Sequence, residues 1–345
     1  MNPFLRILLF PFALIYGAIT GLRNHLYNIE YSKSFRFETP VISVGNLSVG
    51  GSGKTPTVEY LVRLLKDRYR LATLSRGYGR STKGFRIADE SDDYKTIGDE
   101  PFQYYTKFGN EVVVSVGEER ALAIPNILHE RDKVQVILLD DAYQHRAVDP
   151  HFNILITDFD QPFYKDYIMP SGRLRESRKG ARRADAIIVS KCPGDLTESA
   201  EQSIIAEIQA YAQADCPIFF TRIGYENPEP VFARDISLDS AKVYGFSGIA
   251  RNEVFKNHLS GQYELAGFSS FPDHHNYTAH ELIGVLDKAK GLPIVTTEKD
   301  RVKLMRLEFR EVLEQSSLFF IPIRHEFIRN GTQFDDLILK AIESD

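Results

Sequence analysis

The sequence predicts an α/β protein: a doubly wound, mainly parallel sheet followed by a second, smaller α/β lobe. Three observations carry this. From residue 40 onward, short β-branched runs alternate with polar or glycine turns and segments of helical spacing. The runs are continuously apolar rather than alternating, the pattern of parallel strands covered on both faces. Residues 222–236, with two prolines, a glycine and little periodicity, read as a linker after which the pattern restarts.

The first element stands apart. Residues 7–22 carry no charge between Arg6 and Arg23 and are mostly apolar. The run falls just short of the roughly 17–25 residues of a spanning helix, and Pro11, Gly17 and Gly21 weaken it further. A membrane-associated helix lying at the interface is therefore expected, with a true span, a buried apolar helix or a signal peptide as alternatives. Arg23, Lys33 and Arg36 favour the cytoplasmic side. The strands that follow are predicted at 41–44, 71–75, 112–116, 134–139, 154–157, 186–190 and 218–221. After the linker come strands near 241–246, 263–268, 293–297 and 318–323, with helices at 252–259 and 282–290. The expected division is a membrane-associated segment over 1–35, a core domain over 36–225 and a smaller domain over 226–345 that closes a cleft.

Composition narrows the function. With 345 residues and 43% hydrophobic content the chain can bury two cores, and its net charge of -5 gives no general attraction to nucleic acid. Its two cysteines, Cys192 and Cys216, are far apart in sequence, so neither a disulfide framework nor a cysteine zinc site is indicated. No obligatory protein partner is evident.

The most informative stretch runs from the strand at 41–44 through Ser48-Val49-Gly50-Gly51-Ser52-Gly53-Lys54-Thr55 into a helix. Glycines here let consecutive N–H groups curl around phosphate oxygens at the positive end of the following helix. Lys54 is expected on the β- and γ-phosphates and the Thr55 hydroxyl on Mg2+. The first core is thus P-loop NTPase-like, although Ser48 stands where the usual motif begins with glycine. Pro56 is tolerated because first-turn N–H groups lack helical partners. A P-loop needs an acidic residue at the end of a neighbouring strand. The run at 134–139 supplies it in Asp140 and Asp141. Guanine-reading members need Asn/Thr-Lys-x-Asp, whereas this chain has Ser190-Lys191-Cys192-Pro193, so ATP is the expected nucleotide.

At this point the residues resemble a family. Ser43 to Pro56, Leu74-Ser-Arg-Gly-Tyr-Gly79, Gly98-Asp-Glu-Pro101, Leu139 to Arg146, Gly172-Arg-Leu-Arg-Glu176, Phe271-Pro-Asp-His-His275 and Thr296-Thr-Glu-Lys-Asp300 are similar, in order, to the tetraacyldisaccharide 4'-kinases of lipid A biosynthesis. That family shares the serine at the start of the P-loop. Ala142-Tyr143 replaces its frequent Gly-Phe.

The resemblance implies transfer of the ATP γ-phosphate, with Mg2+, to the 4'-hydroxyl of a tetraacyldisaccharide 1-phosphate, the lipid A disaccharide precursor, at the cytoplasmic face of the inner membrane. A lipid with four acyl chains leaves the bilayer at about 0.8 kcal/mol per CH2, so the enzyme must go to it. The resemblance implies that Asp99 is the base, with His274 reaching across the cleft to orient it. The residues alone also allow Asp99 as a helix N-cap and the histidines as a solvated loop. Arg175 is expected on ATP or on transition-state charge, and it stands in a basic run with Arg173, Arg178, Lys179, Arg182 and Arg183. Arg76, Glu100 and His275 are substrate candidates. Two other readings remain at this stage. A P-loop ATPase switch or assembly factor would hydrolyse ATP without a lipid, and a cytosolic small-metabolite kinase would not need residues 1–25.

Overall fold

The computed structural model describes residues 3–232 and 236–343. In chain order the strands are β1 Val41–Asn46, β2 Leu71–Ser75, β3 Arg86–Ile87, β4 Val112–Val116, β5 Val136–Asp140, β6 Phe152–Asp158, β7 Ala186–Ser190, β8 Ile218–Tyr225, β9 Glu229–Pro230, β10 Lys242–Ser247, β11 Glu264–Ser270, β12 Ile294–Thr297, β13 Leu318–Ile321 and β14 Ile323–Phe327. Among the described residues they form two sheets, ordered β14-β8-β7-β6-β1-β5-β2-β4-β3 and β11-β10-β12-β13-β9.

The first sheet is parallel from β8 to β4 and antiparallel only at its two edges. β1, β2, β5, β6 and β7 are buried along their whole length, as their unbroken apolar runs foretell. β1 lies between β5 and β6 with Val44 level with Asp140, so the glycine turn after β1 and the acidic pair after β5 leave the sheet side by side. One face is packed by Val58, Leu61, Val62 and Leu65 of the helix Lys54–Leu65, with Tyr104 and Phe108 of the helix Asp99–Phe108. The second sheet has its own core around Tyr244, Phe246, Leu282, Ile294, Leu318 and Phe320.

Two expectations need correction. The run at 318–323 is not one strand. Pro322, with no N–H to give a ladder, separates β13 from β14, and β14 crosses to pair antiparallel with β8. The helix Gly331–Glu343 then buries Phe334, Ile338 and Ile342 in the first core, so residues 323–343, expected in the smaller lobe, pack with the first sheet. The expected linker is also shorter, because β8 continues to Tyr225 and β9 already pairs with β13; its residues 233–235 lie outside the described residues.

The N-terminal segment is longer than its apolar run suggests. A helix spans Pro3–Asn28 and continues through Pro11, which makes it long and apolar enough to cross a membrane. It lies along the 167–176 loop. The Arg6 guanidinium sits 4.6 Å from the Tyr167 ring centroid, Ser171 Oγ donates to Arg6 O at 3.2 Å, and a Cβ on Gly17 would come within 3.2 Å of Ile168.

Candidate active site

The expected phosphate cradle is the turn between β1 and the helix Lys54–Leu65. Gly50 and Gly53 adopt φ of 109° and 89°, values open to glycine, and a Cβ on Gly50 or Gly51 would meet nothing within 4 Å, which leaves the concavity over their amides open. Ser48 has no such requirement. It bridges antiparallel to Leu174, with Val49 N donating to Arg173 O at 2.9 Å, so the loop enters as an extended strand. That pairing leaves the position no need of the conformational freedom that glycine brings to the usual motif.

Two residues missed at the sequence level brace the loop from outside. Ser190 Oγ donates to Ser52 O at 2.6 Å, and the Lys191 ammonium donates to Gly51 O and pairs with Asp158 at 3.0 Å. Ser190-Lys191, noticed only as a failed guanine signature, is thus a buttress for the cradle. Asn46 Nδ2 donates to Ser52 Oγ at 2.8 Å from within.

Lys54 lies 3.6 Å from Asp141 Oδ1. Arg175 meets the same carboxylate with both guanidinium nitrogens, at 3.0 and 3.2 Å. Burial acts to raise the Asp141 carboxyl, but Lys54 and Arg175 outweigh it and hold the group below the ordinary range. Asp140 has the opposite balance. Burial, then Asp141 and Glu100, push it up to about 6 against Lys54 and the Tyr104 hydroxyl. It accepts from Ser75 Oγ at 3.3 Å and Tyr104 Oη at 3.1 Å, and the Thr55 hydroxyl donates to the same tyrosine. Asp140 and Thr55 are therefore joined through Tyr104.

This donor set fits Mg2+. A buried carboxylate whose charge lacks a full counterion stands beside a hydroxyl, and no group of three or more His, Cys, Asp or Glu side chains forms a closed cage among the described residues. Mg2+ keeps water and takes phosphate oxygens along with one or two carboxylates.

The structure brings Asp99 and His274 together across the two sheets. Gly98, at φ 99° and with a Cβ there set to press on Gly77 Cα at 3.1 Å, is the N-cap of the helix that Asp99 begins. The cap position belongs to Gly98 and Asp99 is the first helical residue, which answers the capping alternative. Asp99 Oδ2 lies 3.2 Å from His274 Nδ1 and 3.2 Å from Lys303 Nζ. Burial would raise the Asp99 carboxyl, but the His274 hydrogen bond and Lys303 lower it overall. Lys299 Nζ stands 3.1 Å from His274 Nε2, so that nitrogen accepts and Nδ1–H donates to Asp99. His274 has φ of 56°, a left-handed backbone uncommon outside glycine, and this aims the ring out of its loop.

His275, expected as a substrate contact, turns away. Its Nε2 is 3.1 Å from Glu281 Oε1, the capping-box residue of the helix Ala279–Ala289, and its ring stacks on Phe271. Lys303, 1% exposed, escaped sequence reading because an internal helical lysine looks solvated; its burial against Asp99 is a tertiary fact. Asp300 accepts from Gly248 N, Tyr277 Oη and Thr297 Oγ1, so it anchors the histidine loop. Glu100 follows Asp99 and adds negative charge beside Asp140. Arg76 is exposed at the end of β2, lining a 330 Å³ cavity with Tyr78 and Arg80. Arg173 pairs with Asp166, and Arg183 with Glu176.

With this geometry in place, the relatives are informative. Residues 5–343 match the family model described as tetraacyldisaccharide-1-P 4'-kinase. The tetraacyldisaccharide 4'-kinase of Flavobacterium psychrophilum is 43% identical, covering 99% of this chain and 98% of that protein, and that of Parabacteroides distasonis is 40% identical over 98% and 95%. The crystal structure of LpxK from Aquifex aeolicus in complex with ATP superposes with a TM-score of 0.77 at 30% identity, covering 98% and 99% of the two chains. A P-loop beside an acid-ended strand, in a chain matched almost end to end by these kinases, places the protein in the tetraacyldisaccharide 4'-kinase family, as an ATP-dependent kinase of lipid A biosynthesis.

Proposed function

We propose that this chain moves the ATP γ-phosphate onto the 4'-hydroxyl of a tetraacyldisaccharide 1-phosphate, with Asp99 as general base, at the cytoplasmic face of the inner membrane. The observation that carries the reading is the contact between Asp99 and His274 at 3.2 Å, on a helix whose Tyr104 also reaches Asp140. Both His274 and Lys303 engage Oδ2, so Oδ1 is assigned to the acceptor hydroxyl. The acceptor oxygen forms a bond to phosphorus as the bond from phosphorus to the β-phosphate oxygen breaks, the proton goes to Asp99, and ADP leaves. A carboxylate kept ionised suits a loose transition state, in which the nucleophile gives up its proton late.

The amides of 50–53 and Lys54 hold the terminal phosphates, Lys54 exchanging its long contact with Asp141 for them. Thr55 and Asp140 would hold Mg2+, with Asp141 beside it; the ion supplies charge neutralisation on the phosphates. Arg175, fixed by Asp141, adds positive charge at the same edge. Arg76 and Tyr78, which line the 330 Å³ cavity, and Glu100, beside Asp99, are assigned to the sugar.

The N-terminal helix is assigned to the membrane. Phe4, Ile7, Leu8, Phe12, Ile15 and Ile19 are exposed along it. Its polar end meets the catalytic edge: Asn24 Nδ2 donates to Glu176 at 2.6 Å and Arg23 to Gln144 O at 2.7 Å, while Gln144 Oε1 accepts from Arg175 at 3.3 Å. A lipid entering beside this helix would arrive next to the phosphates.

The test is incubation with Mg-ATP and tetraacyldisaccharide 1-phosphate, reading product mass. The expected result is a gain of one phosphate with wild type and a rate about 10²–10⁴-fold lower with Asp99→Asn at unchanged ATP affinity. An Asp99→Asn protein as fast as wild type would remove Asp99 as the base.

A further inference from the structure

The helix Asp99–Phe108 carries the proposed base at one end and a buried charge cluster at the other. Lys107 Nζ lies 2.5 Å from Glu59 Oε2, on the helix that starts at the P-loop, and 2.6 Å from Glu298 Oε1, the first residue of the helix Glu298–Leu304 in the second lobe. The side chains of Glu59 and Glu298 are 1% and 3% exposed and that of Lys107 is 14% exposed, so all three are removed from bulk water. Gln103, one turn earlier on the same face, donates to Glu59 Oε1 at 2.7 Å, and Arg63 reaches Glu59 at 3.3 Å. Two carboxylates are thus balanced by Lys107, with the partly exposed Arg63 on Glu59 and the Arg301 charge near Glu298.

The opposite ends of the same two helices are also joined. Asp99 meets Lys303, five residues beyond Glu298, and Lys303 donates to His275 O at 3.1 Å, which ties it to the histidine loop. The helices therefore run antiparallel and are pinned twice, at points eight residues apart on one of them, about 12 Å. Two pins fix both tilt and sliding of the second lobe against the base helix, which one pin cannot do.

We propose that Lys107 is a positioning residue for the kinase reaction, clamping the P-loop helix and the second lobe to the base helix so that His274 and Lys303 stay in register with Asp99. The clamp rests on the reading of Asp99 and His274 given above. Removing the ammonium leaves Glu59 and Glu298 facing each other in a buried space, where like charges repel strongly, and the lobe that carries Glu298 is free to move away.

The experiment compares Lys107→Met, Lys107→Arg and Lys107→Met with Glu298→Gln, measuring kcat with lipid acceptor and ATP affinity by titration. Lys107→Met is expected to lower kcat about tenfold or more with ATP affinity within about threefold, because the nucleotide cradle keeps its own contacts. Lys107→Arg is expected to hold kcat within about threefold, and the double variant to recover at least about threefold over the single one, since one of the two repelling charges is gone. Kcat within twofold of wild type for Lys107→Met, equal losses in kcat and ATP affinity, or no recovery in the double variant overturns the clamp. Should Lys107→Met fail to fold, the near-isosteric Glu298→Gln carries the test. An expected loss of about threefold or more in kcat supports the clamp, and unchanged kcat overturns it. Asp99→Asn runs in parallel: if it is active, the reading of the base fails, whereas an inactive Asp99→Asn beside a fully active Lys107→Met sinks the clamp alone.

Discussion

Two adjacent histidines, chemically identical, are given different tasks by what surrounds them. His274 is turned out by its left-handed backbone and held between Lys299 and Asp99, whereas His275 closes onto Glu281 in its own lobe. His274→Ala is expected to lower kcat about 10–100-fold without loss of melting temperature, since the ring contacts the proposed base and supports little of the core. His275→Ala is expected to lower melting temperature, with a loss near 1 kcal/mol from one hydrogen bond, and to leave kcat within about threefold. Steady-state kinetics and thermal melts of both variants check this, and the reverse pattern would reassign the pair. The histidine pair was visible in the sequence, but a dipeptide does not say which ring crosses the cleft. Lys303 and Lys107 were not visible at all, because nothing local distinguishes a buried lysine from a solvated one on a helix.

At the scale of elements, the P-loop was legible because its chemistry is contiguous: strand, glycines, Gly-Lys-Thr and helix follow one another in the chain. Its serine departure became intelligible only from a distant segment, since Ser48 pairs with Leu174 and the backbone there is extended. Ser48→Gly is therefore expected to leave the KM for ATP within about twofold and to cost about 0.5–1 kcal/mol of stability through added chain entropy. A KM rise of tenfold would mean the serine side chain itself serves the nucleotide. The run at 318–323 reads as one strand for the complementary reason: apolar Leu318–Ile321 continues through Pro322 to Ile323, and only pairing partners reveal that the chain changes sheets at Pro322.

Across the whole molecule, that return makes the lobes interdependent. β14 carries His325, 2% exposed, back against the P-loop helix, its Nδ1 3.4 Å from Thr57 Oγ1. Burial pushes this imidazole down to about 4 from its usual 6.5. The unfolded chain takes up a proton below about 6.5 and the folded one only near 4, so stability falls as pH drops through that window, by up to about 3 kcal/mol. Melting temperature is expected to decline between pH 7 and pH 5, and His325→Leu is expected to flatten the decline even if its melting point at pH 7 is lower. An unchanged slope would place the acid sensitivity elsewhere. A second bridge joins the lobes at the nucleotide edge, where Arg251 pairs with Asp158 at 3.2 Å and Asp160 at 2.8 Å while Lys191 links Asp158 to the cradle. Such long-range ties are what single-sequence periodicity cannot reach, and they are what convert two α/β units into one cleft.

The most direct test of a lipid kinase with the proposed base between its lobes is the stoichiometry of ADP release with and without lipid. ADP is expected to appear only when tetraacyldisaccharide 1-phosphate is present, one for each lipid phosphorylated. Equal ADP release in its absence would contradict the account and make the P-loop the motor of a switch.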